Sequence, residues 1–190
     1  MMNKMFDSGL ASLKEMAEKQ AAEAPAATGS LEVKQMDYPG VTYLGIRQQT
    51  TQAEVMKPEF FAERFGKIMG LMEKAKMQQA GAPAGIYFLW DETAKTTDMA
   101  VGIPVNKGVD VAGEKTMKVF QVPPGKALVV DYYGAYEGIG KAHDALTEYV
   151  KKNNLKEVAP VIEEYVTDPE TEKDQSKWLT KVYYFVEAPK

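Results

Sequence analysis

The sequence predicts an α+β fold built from two tandem strand–helix–strand–strand modules. The same order of elements runs through residues 31–105 and again through residues 117–186. Each half opens with an alternating strand and a turn, at Pro39-Gly40 in the first half and at Pro124-Gly125 in the second. An apolar strand, an amphipathic helix and two further strands follow in each half. These shared features indicate an internal duplication within one domain over residues 31–190.

The elements of the first half follow from their residue patterns. Apolar and polar residues alternate in LEVKQM, which is typical of a half-buried strand. The Pro-Gly pair turns the chain, because proline presets φ and glycine tolerates a positive φ. After the second strand, VTYLGIRQQT, large apolar residues recur at helical spacing and predict a helix over residues 58–79, with Pro58 in its first turn. GIYFLW and MAVGIPV then form a hairpin around the polar segment DETAKTTD.

The second half repeats these elements with different side chains. MKVFQV and the apolar strand after Pro124-Gly125 precede an amphipathic helix predicted over residues 136–152. VIEEYV and WLTKVYYFV close the half, and a charged loop joins them. Where the first half has Ile86 and Phe88, the second has Glu163 and Tyr165. A carboxylate and aromatics placed unequally between two similar halves indicate a binding cleft.

Residues 1–20 contain a predicted amphipathic helix, whose apolar positions recur from Met5 to Ala17. The small and turn-prone residues 21–30 are predicted to form a linker. A helix of this kind needs a surface to pack on. The main domain, a second copy in a homodimer and a further N-terminal domain are the three alternatives.

Composition and charge exclude several classes of function. A net charge of −4 and a pI near 5.2, with scattered lysines, argue against nucleic-acid binding by this chain. The absence of cysteine excludes disulfides and thiolate metal sites, and a lone histidine cannot build a metal site. Neither a cofactor motif nor a membrane span or signal peptide is readable. We therefore expect a cytoplasmic protein without a cofactor.

Two segments resemble one protein family. YYGAYEGIGKAHDAL is similar to an "aromatic–Gly–x–Tyr, then helix" signature. APVIEEYVTDPETEKDQSKWLTKVYYFV is similar to an ending of the form "Pro–x–x–Glu–x–Tyr–x–x–Asp–Pro … Leu–x–Thr". Residues 31–188 thereby resemble the GyrI-like small-molecule-binding domain, also called the AraC-type effector-binding domain. Residues 1–20 resemble the last helix of a START/polyketide-cyclase-like domain, so we expect the chain to be part of a longer protein.

The resemblance implies a fold with pseudo-twofold symmetry and a ligand groove between the two modules. Members of the family bind lipophilic and often cationic compounds, as in multidrug binding. The family's acidic ligand-binding position falls on Glu163. Stand-alone members include gyrase inhibitors, a few members hydrolyse cyclopropane-bearing toxins, and transcription regulators in the family carry an additional helix-turn-helix domain.

The residues alone do not decide between Glu163 and Glu164. Successive strand residues point to opposite faces, so either carboxylate can be the one that faces a cleft. The family spacing to Tyr165 selects Glu163. The alternative is that both are solvated charges on an edge strand.

Aromatic residues near the predicted cleft are the other candidate ligand contacts. The family motifs favour Tyr133 and Tyr165, and the position of Trp90 in the mirrored hairpin favours it as well. The full set of predicted ligand-binding residues is Glu163, Tyr165, Tyr133, Trp90, Tyr87, Phe88 and Tyr183. His143 lies at the edge of the apolar face of its helix and is interpreted as a structural histidine.

We therefore predict a domain without catalytic residues that binds a small hydrophobic, cationic or aromatic molecule. In the first alternative, the domain is a hydrolase in which Glu163 acts as general base toward a strained or electrophilic ring. In the second, it is an interaction module comparable to a gyrase inhibitor.

Overall fold

The computed structural model describes residues 31–106 and 116–188. The predicted helix within residues 1–20 and the linker over residues 21–30 lie outside these ranges. The described chain is a mixed α+β structure, which confirms the predicted fold class.

Within residues 31–106 and 116–188, eight strands form one sheet in which every pair of neighbours is antiparallel. In chain order they are β1 (Val33–Tyr38), β2 (Val41–Thr51), β3 (Ala84–Asp91), β4 (Thr96–Pro104), β5 (Met117–Val122), β6 (Gly125–Tyr133), β7 (Lys156–Tyr165) and β8 (Leu179–Glu187).

In the described part of the chain, three α-helices accompany the sheet: α1 (Gln52–Val55), α2 (Pro58–Lys74) and α3 (Gly140–Lys152). The sequence did not predict α1, a single turn that the Thr51 side chain caps by accepting a hydrogen bond from the Glu54 amide. Helix α2 ends at Lys74 and not at residue 79 as predicted. The reason is local, because Lys76 adopts a positive φ of 52° and stops the helix.

The strand order is symmetric with respect to the two halves of the chain. It runs β1-β6-β8-β7-β3-β4-β2-β5, so exchanging each strand of one half for its counterpart reproduces the order in reverse. The first strand of each half pairs with the other half, β1 with β6 and β5 with β2. This arrangement brings β3 and β7, the central strands, side by side. The internal duplication itself stays a prediction.

Two tight turns bring the ends of the sheet together. β1 and β2 are joined by Pro39-Gly40 although they lie near opposite ends of the strand order. The sheet must therefore curl. Gly40 has a φ of +78°, and a Cβ there would lie 3.0 Å from Cδ of Pro124 in the second turn. The two turns thus touch, and glycine is needed where they meet.

Both faces of the sheet are buried. One face packs against the helices, where Phe60 and Ile68 of α2 and Leu146 of α3 are fully enclosed. We call it the helix-side face. The opposite face holds a second apolar cluster that includes Tyr38 and Phe185, whose rings lie 5.0 Å apart.

The close packing of β2 predicts opposite effects for two glycine substitutions. A Cβ on Gly45 would lie 2.6 Å from the backbone oxygen of Val101, so Gly45→Ala should destabilise the fold by about 2 kcal/mol. A Cβ on Gly70 in α2 meets nothing within 4 Å, so Gly70→Ala should stabilise it by about 0.5–1 kcal/mol. Urea denaturation measures both changes, and equal effects would contradict the packing of β2.

Candidate functional site

Glu163 lies on β7, on the helix-side face, and is 7% exposed. The neighbouring Glu164 points to the opposite face, where it accepts a hydrogen bond of 2.7 Å from the Tyr183 hydroxyl. The structure thus assigns the two adjacent carboxylates to different environments. This is the distinction that strand alternation alone left open.

Both oxygens of the Glu163 carboxylate accept hydrogen bonds from protein groups. The hydroxyls of Tyr165 and Tyr87 donate hydrogen bonds of 2.9 and 3.2 Å to Oε2. Nε2 of His143 lies 2.8 Å from Oε1. These three donors replace part of the hydration that a carboxylate loses on burial.

His143 connects the carboxylate to a further tyrosine. Its side chain lies on α3 and is 3% exposed, and its Nδ1 lies 3.1 Å from the Tyr184 hydroxyl. The sequence interpretation of His143 as a structural residue missed its contact with Glu163. Helical spacing could not have found it, because the contact joins α3 to β7 across the core.

The carboxylate has no strongly basic partner within the described ranges. There, no lysine or arginine nitrogen forms an ion pair with Glu163, whereas the partly exposed Asp131 on β6 has lysine partners. Its hydrogen bonds come from hydroxyls and an imidazole. A buried carboxylate with this environment favours a positively charged group when one is offered.

Burial keeps the two donor tyrosines protonated. It raises the pKa of Tyr87 and of Tyr165 well above the ordinary value, and the negative charge of Glu163 raises both further. They therefore remain hydrogen-bond donors to the carboxylate at neutral and moderately alkaline pH.

An aromatic patch surrounds the ring of Tyr165. Phe61 and Phe65 of α2 approach this ring edge-on at centroid distances of 5.6 and 6.3 Å. Tyr136 approaches it edge-on at 5.5 Å, and Trp178 lies 5.0 Å beyond Tyr136. All five side chains are partly exposed, so the patch leads from solvent toward the buried carboxylate.

Gly85 allows these aromatic rings to approach the sheet. It pairs directly with Glu163 across β3 and β7. A Cβ on Gly85 would lie 3.2 Å from the Tyr165 hydroxyl and 3.3 Å from the rings of Phe61 and Tyr87. A larger residue at this position would push the tyrosines away from the carboxylate.

A bulge in β3 places Trp90 beside Tyr87. The register of β3 on β4 shifts between Tyr87 and Leu89, so the simple alternation of side chains is interrupted. The Trp90 ring consequently lies 6.0 Å from that of Tyr87 on the helix-side face. Phe88 points to the opposite face, where its ring packs 6.2 Å from Phe120.

The structure brings together some of the predicted ligand-binding residues and separates others. Tyr87 and Tyr165 contact Glu163 and Trp90 packs beside Tyr87, whereas Phe88 and Tyr183 belong to the opposite face. Tyr133 is 50% exposed at the end of β6. Phe61, Phe65 and Tyr136 of the patch are not among the predicted ligand contacts, because in the sequence each has the spacing of an ordinary apolar helix face.

Within residues 31–106 and 116–188, no group of three His, Cys, Asp or Glu side chains could hold a metal ion. In the same ranges, no helix is both long and apolar enough to cross a membrane.

Comparison with known families identifies the class of protein. Residues 31–186 match the GyrI-like small molecule binding domain. The chain therefore belongs to the GyrI-like family, whose domains bind small molecules and are typically non-catalytic. No curated protein sequence matches the chain.

Solved structures share the fold at low identity. The C-terminal domain of EcmrR is 15% identical with a TM-score of 0.69, over 85% of this chain and 100% of that one. SAV2435 bound to tetraphenylphosphonium is 14% identical with a TM-score of 0.58, over 82% of this chain and 94% of that one. A hydrolase encoded by lin2189 from Listeria innocua is 10% identical with a TM-score of 0.58, over 90% and 97%. At these identities the likeness is one of fold alone.

The buried tyrosines predict a loss of stability at alkaline pH. Tyr87, Tyr165 and Tyr184 keep their protons in the folded state, because burial raises the pKa of each, while tyrosines in the unfolded chain ionise near pH 10. Above about pH 10 the folded state binds more protons, so the free energy of unfolding should fall by about 1.4 kcal/mol per pH unit for each such tyrosine.

Urea denaturation between pH 8 and 11 measures this slope, and Tyr165→Phe should make it shallower. If absorbance at 295 nm shows all ten tyrosines ionising near pH 10 in the folded protein, the buried network is not as described.

Proposed function

We propose that the domain binds a small hydrophobic cation, with the charge near Glu163 and the flat parts of the molecule against the aromatic patch. The observation that carries this proposal is the buried Glu163 carboxylate, whose partners in the described chain are two hydroxyls and an imidazole. A cationic ligand supplies a permanent positive charge, which no lysine or arginine of the described residues provides for Glu163.

The aromatic patch supports a flat or bulky apolar ligand. Its five rings are partly exposed and meet mainly edge to face, so their exposed parts together offer apolar aromatic surface to a ligand. A cation over an aromatic face gains about 0.5–2 kcal/mol for each contact. Charge and apolar area, with few directional hydrogen bonds, suit several different ligands.

A structural relative supports the ligand class. SAV2435 has been solved with tetraphenylphosphonium, a permanent cation surrounded by four aromatic rings. The same chemistry fits a carboxylate beside partly exposed aromatics in this chain. Tetraphenylphosphonium is therefore the first probe for its site.

The hydrolase alternative uses the same carboxylate but fits the contacts less well. A general base needs a water within hydrogen-bond reach. Oε2 of Glu163 already accepts hydrogen bonds from two tyrosine hydroxyls. The raised pKa values of Tyr87 and Tyr165 make these residues steady hydrogen-bond donors and weak acids, so neither readily gives up its proton to a reacting group. Binding is thus the function that we propose.

Substituting glutamine for each of the two adjacent glutamates separates the contribution of charge to binding from that of shape. Glu163→Gln should weaken tetraphenylphosphonium binding by about 2 kcal/mol, or ~30-fold, because it removes the buried negative charge. Binding of neutral triphenylphosphine oxide should change by less than about threefold. Isothermal titration calorimetry measures both affinities.

Glu164→Gln is the matched control, since it makes the same chemical change on the opposite face of β7. It should leave both affinities unchanged. Equal losses for the cation and the neutral compound in Glu163→Gln would show that charge is not the basis of binding.

The aromatic patch predicts a second pair of effects. Phe65→Leu should weaken tetraphenylphosphonium binding by about 1 kcal/mol, or ~5-fold, because an aromatic face beside Tyr165 is lost. Phe88→Leu replaces a half-buried phenylalanine on the opposite face and should have no effect on affinity. Fluorescence titration measures both affinities. A larger loss of affinity in Phe88→Leu than in Phe65→Leu would show that the ligand binds on the opposite face.

A further inference from the structure

His143 is the only histidine of the chain, and the proposed function does not use it. It is almost completely buried between two polar partners. Nε2 lies 2.8 Å from Oε1 of Glu163, and Nδ1 lies 3.1 Å from the Tyr184 hydroxyl. Both nitrogens of this buried imidazole therefore have hydrogen-bond partners, and one of these partners is the carboxylate of the proposed ligand site.

The partners of His143 accept either of its protonation states. When the imidazole is neutral, Nε2–H donates a hydrogen bond to Glu163, and Nδ1 accepts a hydrogen bond from the Tyr184 hydroxyl. When it is protonated, Nδ1–H donates to the Tyr184 oxygen, and the hydroxyl turns away. Burial raises the pKa of Tyr184, so this group stays a hydroxyl and serves both states. Imidazole is also the side chain that ordinarily changes charge between pH 5 and 8.

We propose that His143 carries a proton when the site is empty and releases it when a cation binds, so that the proton and the ligand compete for the charge of Glu163. This inference rests on the proposed function and adds its regulation. Glu163 then has a positive partner in both states, the imidazolium in one and the ligand in the other. Binding a permanent cation while His143 keeps its proton would place two positive charges beside one carboxylate.

Acidic and tyrosine side chains lie near His143 and its hydrogen-bond partners. Within the described ranges, Glu163 forms no ion pair with lysine or arginine, so the imidazole is its only basic partner there. The ionisable groups close to these partners include Glu163 and Glu157 on β7, Tyr184 on β8, Asp144 on α3, and Tyr87 and Tyr165 around the carboxylate.

Because the chain has one histidine, nuclear magnetic resonance can follow this proton without ambiguity. The ¹⁵N shifts of the imidazole in wild-type protein are recorded from pH 5 to 8.5, with and without saturating tetraphenylphosphonium. Saturation should move the midpoint of the titration to lower pH by at least about one unit. By reciprocity, affinity for this cation should then fall about tenfold as His143 becomes protonated.

A variant separates His143 from other sources of the proton. His143→Gln keeps an amide donor that can reach Glu163 but cannot take up a proton, so tetraphenylphosphonium affinity should become independent of pH. Calorimetry in buffers of different ionisation enthalpy should show proton release by the wild type and none by the variant. Proton release that persists in a folded His143→Gln protein would place the proton on Glu163 and overturn the inference.

The remaining outcomes are also decisive. If the wild type binds tetraphenylphosphonium in a Glu163-dependent way and the imidazole midpoint does not move, the competition is refuted while the proposed function stands. If the wild type does not bind it at any pH, both fail. The wild-type resonance experiment decides the matter even when His143→Gln does not fold.

Discussion

The burial of one carboxylate without a lysine or arginine partner is the constraint on which the rest of this site depends. Removing a carboxylate from water is costly unless donors or a cation replace the lost hydration. In this protein, two tyrosine hydroxyls and one imidazole do so for Glu163. Hydroxyls satisfy the hydrogen-bonding capacity of the carboxylate but supply no permanent positive charge. The site is therefore stable enough to exist without a ligand and still attracts a positive one.

The fold supplies this environment by its strand order. Because each half of the chain gives its first strand to the other half, the central pair of the sheet is β3 with β7. Tyr87 from β3 and Glu163 from β7 thereby meet on the face that both long helices cover. Helix α3 contributes His143, and α2 contributes part of the aromatic patch. Contacts from both halves of the chain are thus needed to enclose one carboxylate.

Much of the fold follows from local patterns, whereas much of the site does not. Alternation, helical periodicity and the two Pro-Gly turns predict the strands and the two long helices, and the resemblance to the GyrI-like family selects Glu163. The bulge at Phe88 is invisible to simple alternation, and it reverses the direction of that residue relative to Trp90. Long-range contacts were missed for a related reason, since His143 has the spacing of an ordinary core residue and meets its partner only in the folded chain.

A crystal structure with tetraphenylarsonium would test the central claim most directly, because the anomalous scattering of arsenic marks the position of the positive charge. We predict one strong anomalous peak on the helix-side face, within about 6 Å of an aromatic ring of the patch and close enough to Glu163 for the two charges to interact. A peak on the opposite face beside Glu164, or on the surface away from both carboxylates, would contradict the account.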